Sequence, residues 1–142
     1  MKRVRDILEV KGRDIWSVGP DASVYDAMKL MADKEIGALM VMEGANLVGL
    51  ISERDYARKV ILKGRSSKST QVKEIMTTRV VYTHPQQNIE ECMAVMTEKR
   101  VRHLPVIDEG RLVGVISIGD LVKSIISEQK FIIEQLERYI RG

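Results

Sequence analysis

Two serine–aspartate pairs carry the chemistry that this sequence offers. Ser52 and Asp55 follow the run Leu47-Val48-Gly49-Leu50-Ile51, and 65 residues later Ser117 and Asp120 follow Leu112-Val113-Gly114-Val115-Ile116. An apolar run that ends in Ser, with Asp three residues on, reads as a short buried strand turning into a helix. Both polar side chains then stand at the junction, where the helix N–H groups are unpaired. One carboxylate can accept charge-assisted hydrogen bonds from two vicinal hydroxyls. A helix N-terminus favours phosphate through its free N–H groups and dipole. An Asp at the same terminus would repel phosphate, so Asp faces hydroxyls and Ser faces phosphate. Arg54, Arg58, Lys59, Arg102 and His103 are the cations that could neutralise such a ligand. The rival reading is that both pairs are ordinary N-caps.

Other chemistries find little support. The two histidines, His84 and His103, lie on different elements, and neither has a Cys or Asp constellation around it, so nucleophilic or acid–base catalysis has no set of residues and the expectation is a non-enzyme. No His/Asp/Glu spacing suggests a metal site. Gly12 and Gly19 do not make a dinucleotide fingerprint, and there is no Walker sequence. The lone Cys92 excludes an internal disulfide and reads as core. No apolar stretch nears the roughly 18 residues of a membrane span, and the basic start lacks a following signal region, so the expected setting is cytoplasmic. A net charge of +3 allows anionic ligands without arguing for nucleic acid. The basic run Lys63–Lys68 lacks the aromatic residues that stack on bases.

The elements that must position these pairs come as a duplication. Ile15–Leu62 laid on Val80–Ser127 gives 13 identities in 48 positions, including Pro20/Pro85, Met28/Met93, Leu39/Leu104 and Val41/Val106. Val4-Arg5-Asp6-Ile7-Leu8 is echoed by Val72-Lys73-Glu74-Ile75-Met76 at an offset of 68. The first half reads as a strand at Ile15–Val18, a helix capped by Ser23 through Lys34, strands at Ala38–Met42 and Leu47–Ile51, and a helix opened by Asp55 with Tyr56, Val60 and Ile61 buried. The second half predicts a strand at Val80–Thr83, a helix at Ile89–Glu98, strands at Leu104–Ile107 and Leu112–Ile116, and a helix from Asp120. Lys63–Thr70 is expected to be the polar link. The last helix has no stop before Gly142, and its apolar stripe past Ile126 has no counterpart in the first half; a second subunit would cover it. The boundaries follow: residues 1–66 and 67–127 as repeats, and 128–142 as a C-terminal helical extension.

Two β-α-β-β-α units, each ending Gly-apolar-Ile-Ser-x-x-Asp, resemble the cystathionine β-synthase (CBS) domain family, whose members occur in tandem pairs called Bateman modules. Arg102-His103-Leu104-Pro105-Val106 fits the opening of that family's second strand. Ser52–Lys59 followed by Gly64-Arg65-Ser66-Ser67 is similar to the small stand-alone CBS-pair proteins. The resemblance implies an α/β fold of two repeats about a pseudo-two-fold axis. It also implies a regulatory sensor, a homodimer, and an adenosyl ligand bound in the cleft between repeats: AMP, ATP or NAD before S-adenosylmethionine. Carried over by motif, Ser52 and Ser117 lie near phosphate and Asp55 and Asp120 grip ribose. Gly37 and Ala38, and Arg102 and His103, line the cleft, while Trp16 and Val80 stand where the base is contacted. Gly37-Ala38-Leu39-Met40 lacks the cations and proline of Arg102-His103-Leu104-Pro105, so one good site and one poor or empty one are expected. The partner regulated in trans is unidentified. The alternative is a constitutive dimerisation or scaffold module with a degenerate cleft.

Overall fold

The computed structural model describes residues 2–141. In chain order the elements are α1 (Val4–Lys11), β1 (Ser17–Val18), α2 (Val24–Lys34), β2 (Ala38–Glu43), β3 (Asn46–Ser52) and α3 (Glu53–Tyr56). A π-helical turn, Ala57–Ile61, continues α3; then come α4 (Val72–Ile75), α5 (Ile89–Lys99), β4 (His103–Asp108), β5 (Arg111–Ser117) and α6 (Ile118–Arg141). The chain is thus mixed α/β, with two repeats, two small sheets and a long C-terminal helix. It forms two compact units. One is Asp14–Val81; the other joins the N-terminal segment through Arg13 to the chain from Tyr82 onward.

In the first unit β1 runs parallel to β2, and β2 pairs antiparallel with β3. The hairpin turns at Gly44, whose φ of 62° suits the first position of a tight two-residue loop. Ser23 caps α2 as expected, its Oγ accepting from the Asp26 amide at 3.0 Å. Leu39, Val41 and Ile51 of the hairpin bury against Val24, Ala27 and Met31 of α2. Each fully buried aliphatic side chain contributes about 1.5–3 kcal/mol.

The second unit repeats this plan with β4 and β5, turning at Glu109 and Gly110 with φ 50° and 77°. Asn88 caps α5 by accepting from the Glu91 amide at 2.8 Å. Cys92 is fully buried against this core, and burial raises its thiol pKa. The expected strand Val80–Thr83 does not form; among the described residues only a bridge between Thr83 and Val106 remains. The reason is one residue. In the first unit the Met40 amide donates to Trp16 at 3.2 Å. Pro105 stands at the matching position and has no N–H to give.

The echoed helices are exchanged relative to the order of the repeats. α1 belongs to the second unit, where Val4 and Arg5 donate their amides to Gln87 and Pro85 at 2.9 and 3.0 Å. α4 takes the same place in the first unit, with Val72 and Lys73 donating to Ala22 and Pro20 at 2.8 and 2.9 Å. Leu8 lies over Gly114, and Met76 lies over Gly49. A Cβ on Gly114 would come within 2.8 Å of Leu8, and one on Gly49 within 2.7 Å of Met76 Sδ, so both glycines are needed for close approach. The first unit is therefore one continuous stretch that ends with α4, whereas the second takes its helix α1 from the start of the chain.

Three further expectations are corrected. The first strand covers Ser17–Val18 only, with Ile15 and Trp16 outside it. The helix after β3 starts at Glu53 rather than Asp55, and its π turn, marked by Leu62 donating to the Ala57 carbonyl at 3.1 Å, leaves Ile61 exposed while Val60 is buried. Lys63–Thr70 is folded onto the first unit: Tyr25 donates to Ser67, Val24 donates to Thr70, and the Thr70 hydroxyl donates to Ser66 at 2.7 Å.

Candidate functional site

In each unit the hairpin brings the opening of one strand against the Ser-x-x-Asp turn at the end of the next. In the first unit Ala38 is the register partner of Ser52, and the Glu53 amide donates to the Gly37 carbonyl at 3.0 Å. In the second, His103 is the partner of Ser117, and the Ile118 amide donates to the Arg102 carbonyl at 2.9 Å. Gly37 and Ala38 thus meet Ser52 and Asp55, and Arg102 and His103 meet Ser117 and Asp120. Pairing in the sheet does this, over 14 residues of sequence.

Both turns are reciprocal caps. The Asp55 amide donates to Ser52 Oγ at 3.1 Å, and Asp55 Oδ2 accepts from the Ser52 amide at 3.0 Å and from its hydroxyl at 3.1 Å. Asp55 Oδ1 pairs with Lys59 Nζ at 3.2 Å, one helical turn on, while that ammonium also donates to the Ile75 carbonyl at 2.9 Å. Asp55 is buried, and both its oxygens are engaged within the unit. Arg54 is half-buried beside it.

The second unit differs in its cation. The Asp120 amide donates to Ser117 Oγ at 3.2 Å, and Asp120 Oδ2 accepts from the Ser117 amide at 2.8 Å. The same Oδ2 takes Lys11 Nζ from α1 at 2.6 Å. That ammonium also donates to the Val115 carbonyl at 2.8 Å. In the first unit the matching carbonyl, on Leu50, is taken by the Thr77 amide at 2.8 Å. The Lys11 and Ser117 amide bonds to Asp120 converge on Oδ2. Burial pushes the Asp120 carboxyl up, but the Lys11 and Ser117 hydrogen bonds outweigh it and hold the group below its ordinary value. His103 is shifted down by burial first and then by the Lys11 and Arg102 charges, with Asp120 opposing, so its ring is neutral near pH 7.

Of the two base-side candidates, Trp16 lies at the edge of the first sheet, 39% exposed, with Lys34 Nζ 4.1 Å over its ring. Val80 is half-buried in the segment leading out of the first unit and belongs to no strand. A groove of about 730 Å³ opens beside Gly37, lined by Tyr25, Met28, Lys29, Glu53 and Tyr56. Among the described residues no three His, Cys, Asp or Glu side chains are grouped to hold a metal ion, and no helix is long and apolar enough to cross a membrane.

Lys11 is the site residue that sequence reasoning missed. It lies outside both Ser-x-x-Asp motifs, and its partner Asp120 is 109 residues away. The available signal was the Val4–Leu8 echo, which marks a helix whose last turn carries Lys11.

Comparison with known proteins gives a consistent picture. A solved structure of a protein with CBS domains from Burkholderia ambifaria MC40-6 is 57% identical, covering 90% of this chain and 96% of that one, with a TM-score of 0.88. The mitochondrial CBS domain-containing protein CBSX3 of Arabidopsis thaliana is 39% identical over 98% of this chain and 72% of its own length. The CBS domain pair of protein MJ0100, solved with 5′-methylthioadenosine and S-adenosyl-L-methionine, is 23% identical with a TM-score of 0.80, covering 90% and 98% of the two chains, and shares the fold. The CBS domain model matches residues 4–62 and 72–127, each of which holds one hairpin and one Ser-x-x-Asp turn, and the chain belongs to the CBS domain family.

Proposed function

We propose that this chain is a regulatory module that binds an adenine nucleotide of the AMP, ATP or NAD type, with S-adenosylmethionine ranked behind them, and changes the behaviour of a partner protein in trans. The observation that carries the reading is the convergence of the cap amide and Lys11 on one oxygen of Asp120, Oδ2. Asp120 Oδ1 can then accept from ribose hydroxyls without dismantling the turn. Asp55 has both oxygens engaged, which supports one good site, at Ser117 and Asp120, and a poor one at Ser52 and Asp55. Arg102, His103 and Lys11 add donors and positive charge around the good site, suited to phosphate. Gly37, Ala38, Arg54 and Trp16 would serve a ligand in the first unit, and Val80 would contact a base, as carried over from the family. Ligand binding regulates only if the ligand favours one arrangement of the protein over another, so differential affinity drives the response. A homodimer acting in the cytoplasm, and without catalysis of its own, completes this reading.

Calorimetric titration with AMP, ATP, NAD and S-adenosylmethionine tests it. Asp120→Asn is expected to weaken the bound nucleotide by about 1.5–3 kcal/mol, roughly 10- to 150-fold, through loss of hydrogen bonds to a charged group. Asp55→Asn should change the affinity less than threefold. Equal affinity in all three proteins would sink the ribose assignment. A second reading, a scaffold with a degenerate cleft, is favoured by one observation: both turns are complete caps without a ligand. No heat from any of the four ligands, with a folded dimer, would establish it.

A further inference from the structure

The last thirteen described residues of α6 are not covered by their own unit. Leu121 is buried and Glu128 half-buried, and from Gln129 onward every described residue is exposed. Ile132, Ile133, Leu136 and Ile140 are between 48% and 81% exposed. Val122, Ile126, Gln129, Ile133, Leu136 and Ile140 are spaced alternately by four and three residues, which is the seam of a two-stranded coiled coil with Ile and Leu at alternate core positions and one polar Gln. Lys130 and Glu137 flank that seam on one side, while Ile132 and Tyr139 flank it on the other.

Charge chooses the orientation. In a parallel, in-register pair, residues of the Lys130 and Glu137 flank meet the opposite flank of the partner helix, which here is Ile125 and Ile132, so neither charge finds an opposite. In an antiparallel pair the flank meets itself. The register that seats Ile133 beside the partner's Leu136 sets Lys130 against the partner's Glu137, twice by symmetry, and Ile132 against the partner's Tyr139. That register overlaps residues 128–141, about 21 Å of helix, and ends where α6 leaves its unit. Sliding by one heptad the other way would set Lys130 against its own copy and push the partner helix alongside the packed turn at Leu121.

From this we propose that residues 128–141 of α6 form an antiparallel two-helix seam with a second copy of this chain. The inference is independent of nucleotide binding. Sedimentation of the full chain is the first test. Ile133→Asp with Leu136→Asp should abolish association through this seam. Lys130→Glu alone and Glu137→Lys alone should each weaken the dimer about five- to tenfold, and the double variant should restore it. Orientation is read by disulfide formation. A mixture of Ile133→Cys and Leu136→Cys chains should cross-link, whereas Ile140→Cys alone should not. A monomer at all concentrations, association untouched by the Asp and single-charge variants, or a cross-link through Ile140→Cys would overturn the proposal. The altered side chains are exposed, so folding, checked by circular dichroism, is not at stake.

Discussion

Lys11 and His103 stand on opposite sides of Asp120 in the charge balance of the second unit. Lys11 pulls the Asp120 carboxyl below its ordinary value of 3.8, and burial first, then the same ammonium and Arg102, keep His103 below 6.5. The sign of the stability effect follows from linkage. The unfolded chain takes up the His103 proton near pH 6.5 and the folded chain resists it, so stability is full above that pH and falls as the pH drops toward the folded value. Asp120 acts in the same direction, but only in acid below about 4, so the two contributions separate. Urea unfolding between pH 5 and 8 should show stability falling toward pH 5 in the wild type and a flatter profile in His103→Gln. An unchanged slope would mean that His103 is protonated in the folded protein. None of this electrostatic set was legible in the sequence. His103 could be packed or ligand-facing from its neighbours alone, and Lys11 sits in another part of the chain altogether.

At the scale of elements, the two hairpins are near copies whose differences trace to single residues. Pro105 removes one amide and with it a strand, and the π turn after Tyr56 rotates Ile61 out to solvent. Gly49 and Gly114 occupy the same position in β3 and β5 but meet different neighbours. A methyl on Gly114 would meet the flexible end of Leu8, at 2.8 Å. One on Gly49 would meet Met76 Sδ at 2.7 Å and also the Thr77 backbone carbonyl at 3.0 Å, which cannot swing aside. Both substitutions to Ala should destabilise by about 1–3 kcal/mol, with Gly49→Ala the more costly of the two. Thermal unfolding of the pair measures this, and a reversed order would show that Leu8 is the more rigidly held. Element types and most boundaries were readable because the apolar spacing switches cleanly between strand and helix periods. Two of the departures came from a backbone donor missing at proline and from a hydrogen-bond pattern that side-chain periodicity does not encode.

For the molecule as a whole, the exchange of α1 and α4 leaves the first unit as one continuous stretch, while the second unit depends on a segment distant in sequence, α1. Leu8→Ala removes a side chain that is 1% exposed, and it should cost about 2–5 kcal/mol. Hydrogen exchange should then speed in residues 82–127 and leave 14–81 largely unchanged. Faster exchange spread equally over both stretches would contradict the assignment of α1 to the second unit. By itself the sequence determined the duplication, the repeated hairpins, the Ser-x-x-Asp turns and the unpartnered stripe of the last helix, because each of these is written in local spacing and composition. Only the tertiary structure decided which echoed helix packs on which hairpin, that Lys11 rather than a neighbour in sequence holds Asp120, and that Asp55 has no oxygen to spare. Those outcomes depend on contacts between residues up to 109 positions apart, which are set by the packing of whole elements and leave no mark in the periodicity of either one.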